Sequence, residues 1–118
     1  MQTIQHKSGI DDARTFTVEE VTYEILLAKL RCRIGARFLD RHLQGWADVI
    51  DIDALDLTSA RTCVLGQLFG SFRAGVTALN IRSESSRRRL GFMPEGHLEA
   101  ELVQSAWMDM IEERVPPQ

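Results

Sequence analysis

Residues 17 to 43 leave few options for the fold. Thr17-Val18-Glu19-Glu20 has the spacing of a capping box, in which the threonine hydroxyl takes the backbone N–H of Glu20 and the glutamate reaches back to the threonine N–H. From there Val18, Val21, Ile25, Ala28, Cys32, Ala36, Leu39 and Leu43 recur at steps of three and four, and Leu27, Leu30, Ile34 and Phe38 form a second stripe beside the first. Two adjoining stripes predict a long helix buried over much of its circumference. Gly35 inside it costs about 1 kcal/mol relative to alanine, so it marks close packing or a bend. Gly45 is placed to stop the helix, and Trp46 begins a short further turn.

A second long stripe lies near the end of the chain. Leu98, Leu102, Val103, Ala106, Trp107, Met110 and Ile111 share one side of a helix over residues 97 to 113, closed by Val115-Pro116-Pro117. Between the two, residues 48 to 57 mix acids and aliphatics and suit a loop or short helix, with Ile50, Ile52, Leu55 and Leu57 turned inward. A strand there would need a partner that the sequence does not offer. Thr58 or Ser59 is expected to cap a helix over Cys63, Val64, Gln67 and Leu68. Ser71 restarts it after Gly70, and Ser83 caps a short helix over Arg87 to Leu90 that Gly91 and Pro94 end. These readings predict an all-α, compact single domain of four to five helices, with the helix over 17 to 43 packed against the helix over 97 to 113. Residues 1 to 14 lack periodicity and read as a flexible tail, 15 to 115 as the domain, and 116 to 118 as a second tail.

Composition narrows the function classes. At 118 residues the chain suits one domain. With 44% hydrophobic and 26% charged residues it is neither disordered nor membranous in type, and no apolar run approaches the roughly 18 residues that span a bilayer. Residues 1 to 7 carry no apolar signal core, so a cytoplasmic location is expected. Two cysteines, Cys32 and Cys63, suit a reducing compartment. A net charge of −3 argues against a nonspecific grip on phosphate backbones by the whole domain, while leaving room for local basic patches.

The middle of the chain carries a family resemblance. Gly45-Trp46-Ala47-Asp48, Ile50-Asp51, Leu55-Asp56-Leu57 and Cys63-Val64-Leu65-Gly66-Gln67-Leu68-Phe69-Gly70, with Leu90-Gly91-Phe92 farther on, resemble pieces of small proteins encoded by actinobacterial phages and prophages. The resemblance covers residues 38 to 92 and runs more loosely to Trp107. It implies a cytoplasmic phage protein and no particular activity. Such proteins often place a second cysteine just before the position of Cys63; here Ser59-Ala60-Arg61-Thr62 stand there, which removes a paired-cysteine metal site or disulfide.

Several constellations invite a chemical reading. Asp48, Asp51, Asp53 and Asp56 supply oxygens of the kind hard cations want, but the spacing lacks the glycine and distal glutamate of a calcium loop; we expect solvated acids that cap helices or pair with bases, and no metal. Lys29, Arg33, Arg37 and Arg41 form a cationic ridge at four-residue spacing, supplemented by Arg31. Like charges so placed repel by a few tenths of a kcal/mol per pair, so the ridge is expected to be offset by the nearby aspartates or used on an acidic partner or nucleic acid. Residues 78 to 90 have the outline of a degenerate helix-turn-helix: Asn80 at a left-handed turn position, Ile81 and Leu90 buried, and Arg82, Arg87, Arg88 and Arg89 available to phosphates. Ser86 stands where such motifs bury a branched aliphatic. Cys63 falls near the start of a helix, yet no histidine has a diagnostic spacing to it, so it reads as a core residue and not a nucleophile. Trp46, Phe69, Phe72 and Trp107 are core residues or a partner interface.

With no catalytic set and no cofactor motif, the expected function is that of a small phage-encoded accessory protein. It would bind and modulate a host or phage protein without catalysis and close spare apolar area in a homodimer. The alternative is a DNA-binding regulator that uses residues 78 to 90, with support from Arg33, Arg37 and Arg41.

Overall fold

In the computed structural model, which describes residues 3–5 and 15–115, the first helix starts where its cap is written. Thr17 Oγ1 accepts from the Glu20 N–H at 3.1 Å and Glu20 Oε1 accepts from the Thr17 N–H at 3.2 Å, completing the capping box of α1, Val18–His42. Leu43 closes the helix, its N–H donating to the Leu39 carbonyl, two residues before the expected stop; Gly45, at φ +80°, instead opens α2, Trp46–Val49. A 3-10 turn, Ile52–Ala54, follows, then α3 (Val64–Phe69), α4 (Phe72–Ala78), α5 (Glu84–Arg89) and α6 (His97–Arg114). The domain is all-α in class, with one more helix than the expected four to five, because Trp46–Val49 closes a full turn of its own. As expected, α1 packs along α6.

The contact between those two helices is close because α1 offers small residues to it. Ala28, Cys32, Gly35, Ala36 and Leu39 are its buried positions. Gly35 has no room for a side chain: a Cβ there would lie 1.9 Å from the Leu90 carbonyl oxygen and 2.9 Å from the Trp107 ring. Trp107 is the centre of the core. Its indole N–H donates to the Gly91 carbonyl at 2.7 Å, Phe92 stacks on it at 5.5 Å, and Trp46 meets it edge-on at 5.9 Å. Trp46 in turn donates to Asp40 at 2.8 Å, and Arg114 clamps the same carboxylate through two 2.9 Å bonds, which joins α1, α2 and α6.

Three local expectations are corrected. First, within the stretch read as a tail, Thr3–Gln5 form a strand, β1, antiparallel to β2, Thr15–Thr17, with Ile4 opposite Phe16; the rest of residues 1 to 14, and 116 to 118, lie outside the described residues. Secondly, α1 is not broadly buried. Val18, Tyr23, Leu26 and Leu30 are exposed; Tyr23, Leu26 and Leu30 fall on the side of the helix opposite the buried Ala28, Cys32, Gly35, Ala36 and Leu39, away from α6. Thirdly, α3 is capped by Cys63, whose Sγ accepts from the Gly66 N–H at 3.3 Å. Thr58 and Ser59 shape the preceding turn instead: Asp56 accepts from the Thr58 N–H and hydroxyl, and Ser59 Oγ accepts from the Thr62 N–H. The segment over 50 to 57 forms a loop with the short 3-10 turn, as expected, with Ile50, Leu55 and Leu57 buried, and side-chain amides hold it. Gln104 donates to the Leu55 carbonyl and accepts from the Leu57 N–H, and Gln67 accepts from the Asp51 N–H at 2.7 Å and donates to the Asp51 carbonyl at 3.1 Å. Ser71 and Ser83 cap α4 and α5 as expected, and Asn80 takes the left-handed turn at φ +59°.

Candidate functional site

The second stripe of α1 creates the site. Ile34 and Phe38 lie beside the main core and need cover, which α4 and α5 supply only in part. The turn between those helices swings Leu79 and Ile81 toward Phe38, and Leu90 closes the far end. What remains is an open groove of about 440 Å³ floored by Ile34, Phe38, Leu79, Ile81 and Leu90. Its rim carries Arg41 from α1, Arg82 from the turn and Arg89 from α5, with Asn80 and Ser86 between them. The Arg82 guanidinium is steadied by the Asn80 side chain at 2.8 Å. No carboxylate is among the lining residues.

Arg41, Arg82 and Arg89, drawn from two separate basic stretches, thus meet at one groove. Other nominated residues do not. Trp46 and Trp107 are 2% and 0% exposed and belong to the core, which removes them as interface residues. Phe69 and Phe72 are half-buried against that core. Arg87 lies over the Phe72 ring at 5.9 Å and donates to the Ile81 carbonyl at 3.0 Å. Arg88 binds Glu95 and Glu99, and Glu99 also takes Arg31 at 2.5 Å, so two guanidiniums converge on one buried carboxylate and tie α1 to α5 and α6. Of the arginine triplet read as a phosphate-binding element, Arg87 and Arg88 are therefore committed to internal contacts, and only Arg89 is exposed. The helix that would present them, α5, has six residues, less than two turns.

The cationic ridge is also distributed differently from expectation. Lys29 and Arg33 face Asp109, Glu112 and Glu113 of α6 across a shallow depression, and Arg37 stays in solvent near Asp40. The aspartates of residues 48 to 56 serve local turns: Asp51 caps the 3-10 turn and Asp56 the turn at Thr58. The Thr58 hydroxyl and N–H lower the Asp56 carboxyl below its ordinary value. Among the described residues no group of three or more His, Cys, Asp or Glu side chains converges as a metal site would require.

A second cleft, about 550 Å³, lies between the turn over 57 to 60 and the start of α6. It brings Cys63 and His97 to one hollow with Phe72, Phe92, Met93 and Pro94, a juxtaposition with no signature in their spacing. The thiol is ill suited to attack. Burial pushes its pKa up, its sulfur is occupied as the α3 cap, and His97 is turned to Glu101 at 3.2 Å. Burial raises the Cys32 thiol as well, and that sulfur donates to the Val103 carbonyl inside the core.

The floor of the arginine groove could have been anticipated from the stripe Leu27, Leu30, Ile34, Phe38, which demands more cover than one neighbouring helix gives. The meeting of Arg41 with Arg82 and Arg89 had no such signal, because it depends on how the turn at Asn80 folds back. Among the described residues no helix is long and apolar enough to cross a membrane. Compared with family models, with curated proteins and with solved structures, the chain gives no match.

Proposed function

We propose that this chain is a small phage-encoded accessory protein of the cytoplasm that acts, without catalysis and as a homodimer, by docking an acidic, amphipathic segment of a host or phage protein. One observation carries the docking site: a groove with an apolar floor and a rim whose charged residues are all arginine. Apolar side chains of a helical ligand would leave water on Ile34, Phe38, Ile81 and Leu90, while its carboxylates meet Arg41, Arg82 and Arg89. The phage origin rests on the resemblance of the mid-chain motifs. The absence of an activated nucleophile at Cys63 favours binding over chemistry.

Affinity capture from host and phage-infected lysates, comparing the wild type with a folded Arg41→Glu/Arg82→Glu/Arg89→Glu variant, tests the groove. The retained partner should be lost in the variant and should carry an acidic helix that binds alone as a synthetic peptide. Capture that is indifferent to the three reversals would reject the site. The DNA-binding alternative is favoured by the same exposed arginines. It predicts duplex binding at low salt, with the slope of log affinity on log salt falling by about 0.9 for each phosphate contact removed. A gel shift with no duplex retained at low salt eliminates it.

A further inference from the structure

We infer that two copies of this chain pair antiparallel through the solvent face of α1, centred on residue 28. The inference rests on the two-copy reading above and gives it a surface, a direction and a register. It is independent of the arginine groove.

The face is defined by Glu19, Tyr23, Leu26, Leu30, Arg33 and Arg37, all exposed and separated by steps of four, three, four, three and four. That is the spacing of a coiled-coil seam, and it runs about 27 Å along the helix. Its three apolar members are the unexpected ones: Tyr23 is 62% exposed, Leu26 61% and Leu30 54%, although each is large enough to favour burial strongly. The order along the stripe is acid, aromatic, leucine, leucine, base, base. Rotated end to end about residue 28, it meets itself in matched pairs. Leu26 faces Leu30 of the second copy, Tyr23 faces the Arg33 guanidinium, and Glu19 faces Arg37.

A parallel arrangement places Glu19 on Glu19 and Arg37 on Arg37, so the charges choose the direction. Glu19 lies in the first turn of α1 and Arg37 in the last two, so the pairing also suits the helix dipoles. Arg33 borders the depression that Asp109, Glu112 and Glu113 of α6 also line, and its exposed side chain is free to meet the tyrosine ring of the second copy. A single five-turn helix pair is a small interface, which predicts a reversible dimer and not an obligate one.

Sedimentation equilibrium over a concentration series reads the proposal. The wild type should dimerise at tens of micromolar, and Leu26→Asp, on a solvent-exposed position, should weaken dimerisation at least tenfold with an unchanged circular dichroism spectrum. Glu19→Arg and Arg37→Glu should each weaken it several-fold, and the double variant Glu19→Arg/Arg37→Glu should restore it. Only an antiparallel pair is rescued by that exchange. A monomer throughout the range overturns both the two-copy reading and this surface. A dimer indifferent to Leu26→Asp keeps the former and overturns the latter, and failure of the double exchange to rescue overturns the register.

Discussion

The two faces of α1 both carry apolar residues and end in opposite environments. One presents Ala28, Cys32, Gly35, Ala36 and Leu39 to the core and is sealed by Trp107; the other presents Tyr23, Leu26 and Leu30 to water. Hydrophobic periodicity states which sides of a helix are apolar, but not which of them a neighbouring element covers. Residue size was the better guide. Small residues mark where another backbone comes close, and large ones with no facing partner mark a surface still to be closed.

The contrast can be broken most forcefully at its buried end. Trp107→Ala removes a wholly buried indole, its hydrogen bond to Gly91 and two ring contacts, and should cost about 4 kcal/mol in urea unfolding. That is a large part of the roughly 5–15 kcal/mol that holds a domain of this kind together. Gly35→Ala sharpens the point, since alanine in an open helix gains about 1 kcal/mol over glycine. Here the added methyl meets the Leu90 carbonyl, and we expect a loss of about 2 kcal/mol in the same assay.

A smaller effect is expected at the clamp beyond the C-terminal end of the buried face. Asp40 has its carboxyl held below the ordinary value of 3.8, chiefly by the hydrogen bond from Arg114. A depressed folded-state pKa contributes stability that is present above the unfolded value and lost as pH falls through the folded one. Thermal melts should therefore show the wild type ahead of Asp40→Asn at neutral pH, with the gap closing on acidification below pH 3.8. The carboxylate is partly exposed, so the gap should be modest. The smallest change belongs to the exposed face: Leu26→Ala, measured at dilutions where the chain is monomeric, should alter stability by no more than about 0.5 kcal/mol. A loss as large as that at Gly35 would mean that the two faces are equally covered.

Much of the fold was legible because its signals are local. The Thr17 box, the caps at Ser71 and Ser83 and the left-handed Asn80 all involve residues within four positions of one another. The strand at Thr3–Gln5 was hidden by its brevity, since three residues cannot display alternation. Cys63 was not read as a cap because a thiol is a weak acceptor and hydroxyls stood nearby. The site was legible in its parts and not in its assembly. Arg41, Arg82 and Arg89 were each singled out, but their convergence is a property of the α4–α5 turn. The motif that carries the resemblance turns out to be largely architectural here, with Trp46 at the core, Leu55 and Leu57 buried, and Gln67 bonded to Asp51.

The two glutamines that hold the segment over 50 to 57 also bear on the order in which the chain folds. Leu55 and Leu57 obtain their main-chain partners from a residue 47 to 49 positions away, and that residue is presented correctly only once α6 has docked. The α1–α6 contacts, made between residues 68 to 74 positions apart, have already closed the long loop when Gln104 arrives, so the segment follows that docking and does not lead. We therefore expect the α1–α6 pair to form the nucleus and the segment to lock afterwards, with Gln104→Ala accelerating unfolding while leaving the folding rate nearly unchanged. A folding rate that drops in proportion to the lost stability would place the segment in the nucleus instead. In kinetic terms these amides act as a late latch that lengthens the life of the folded state.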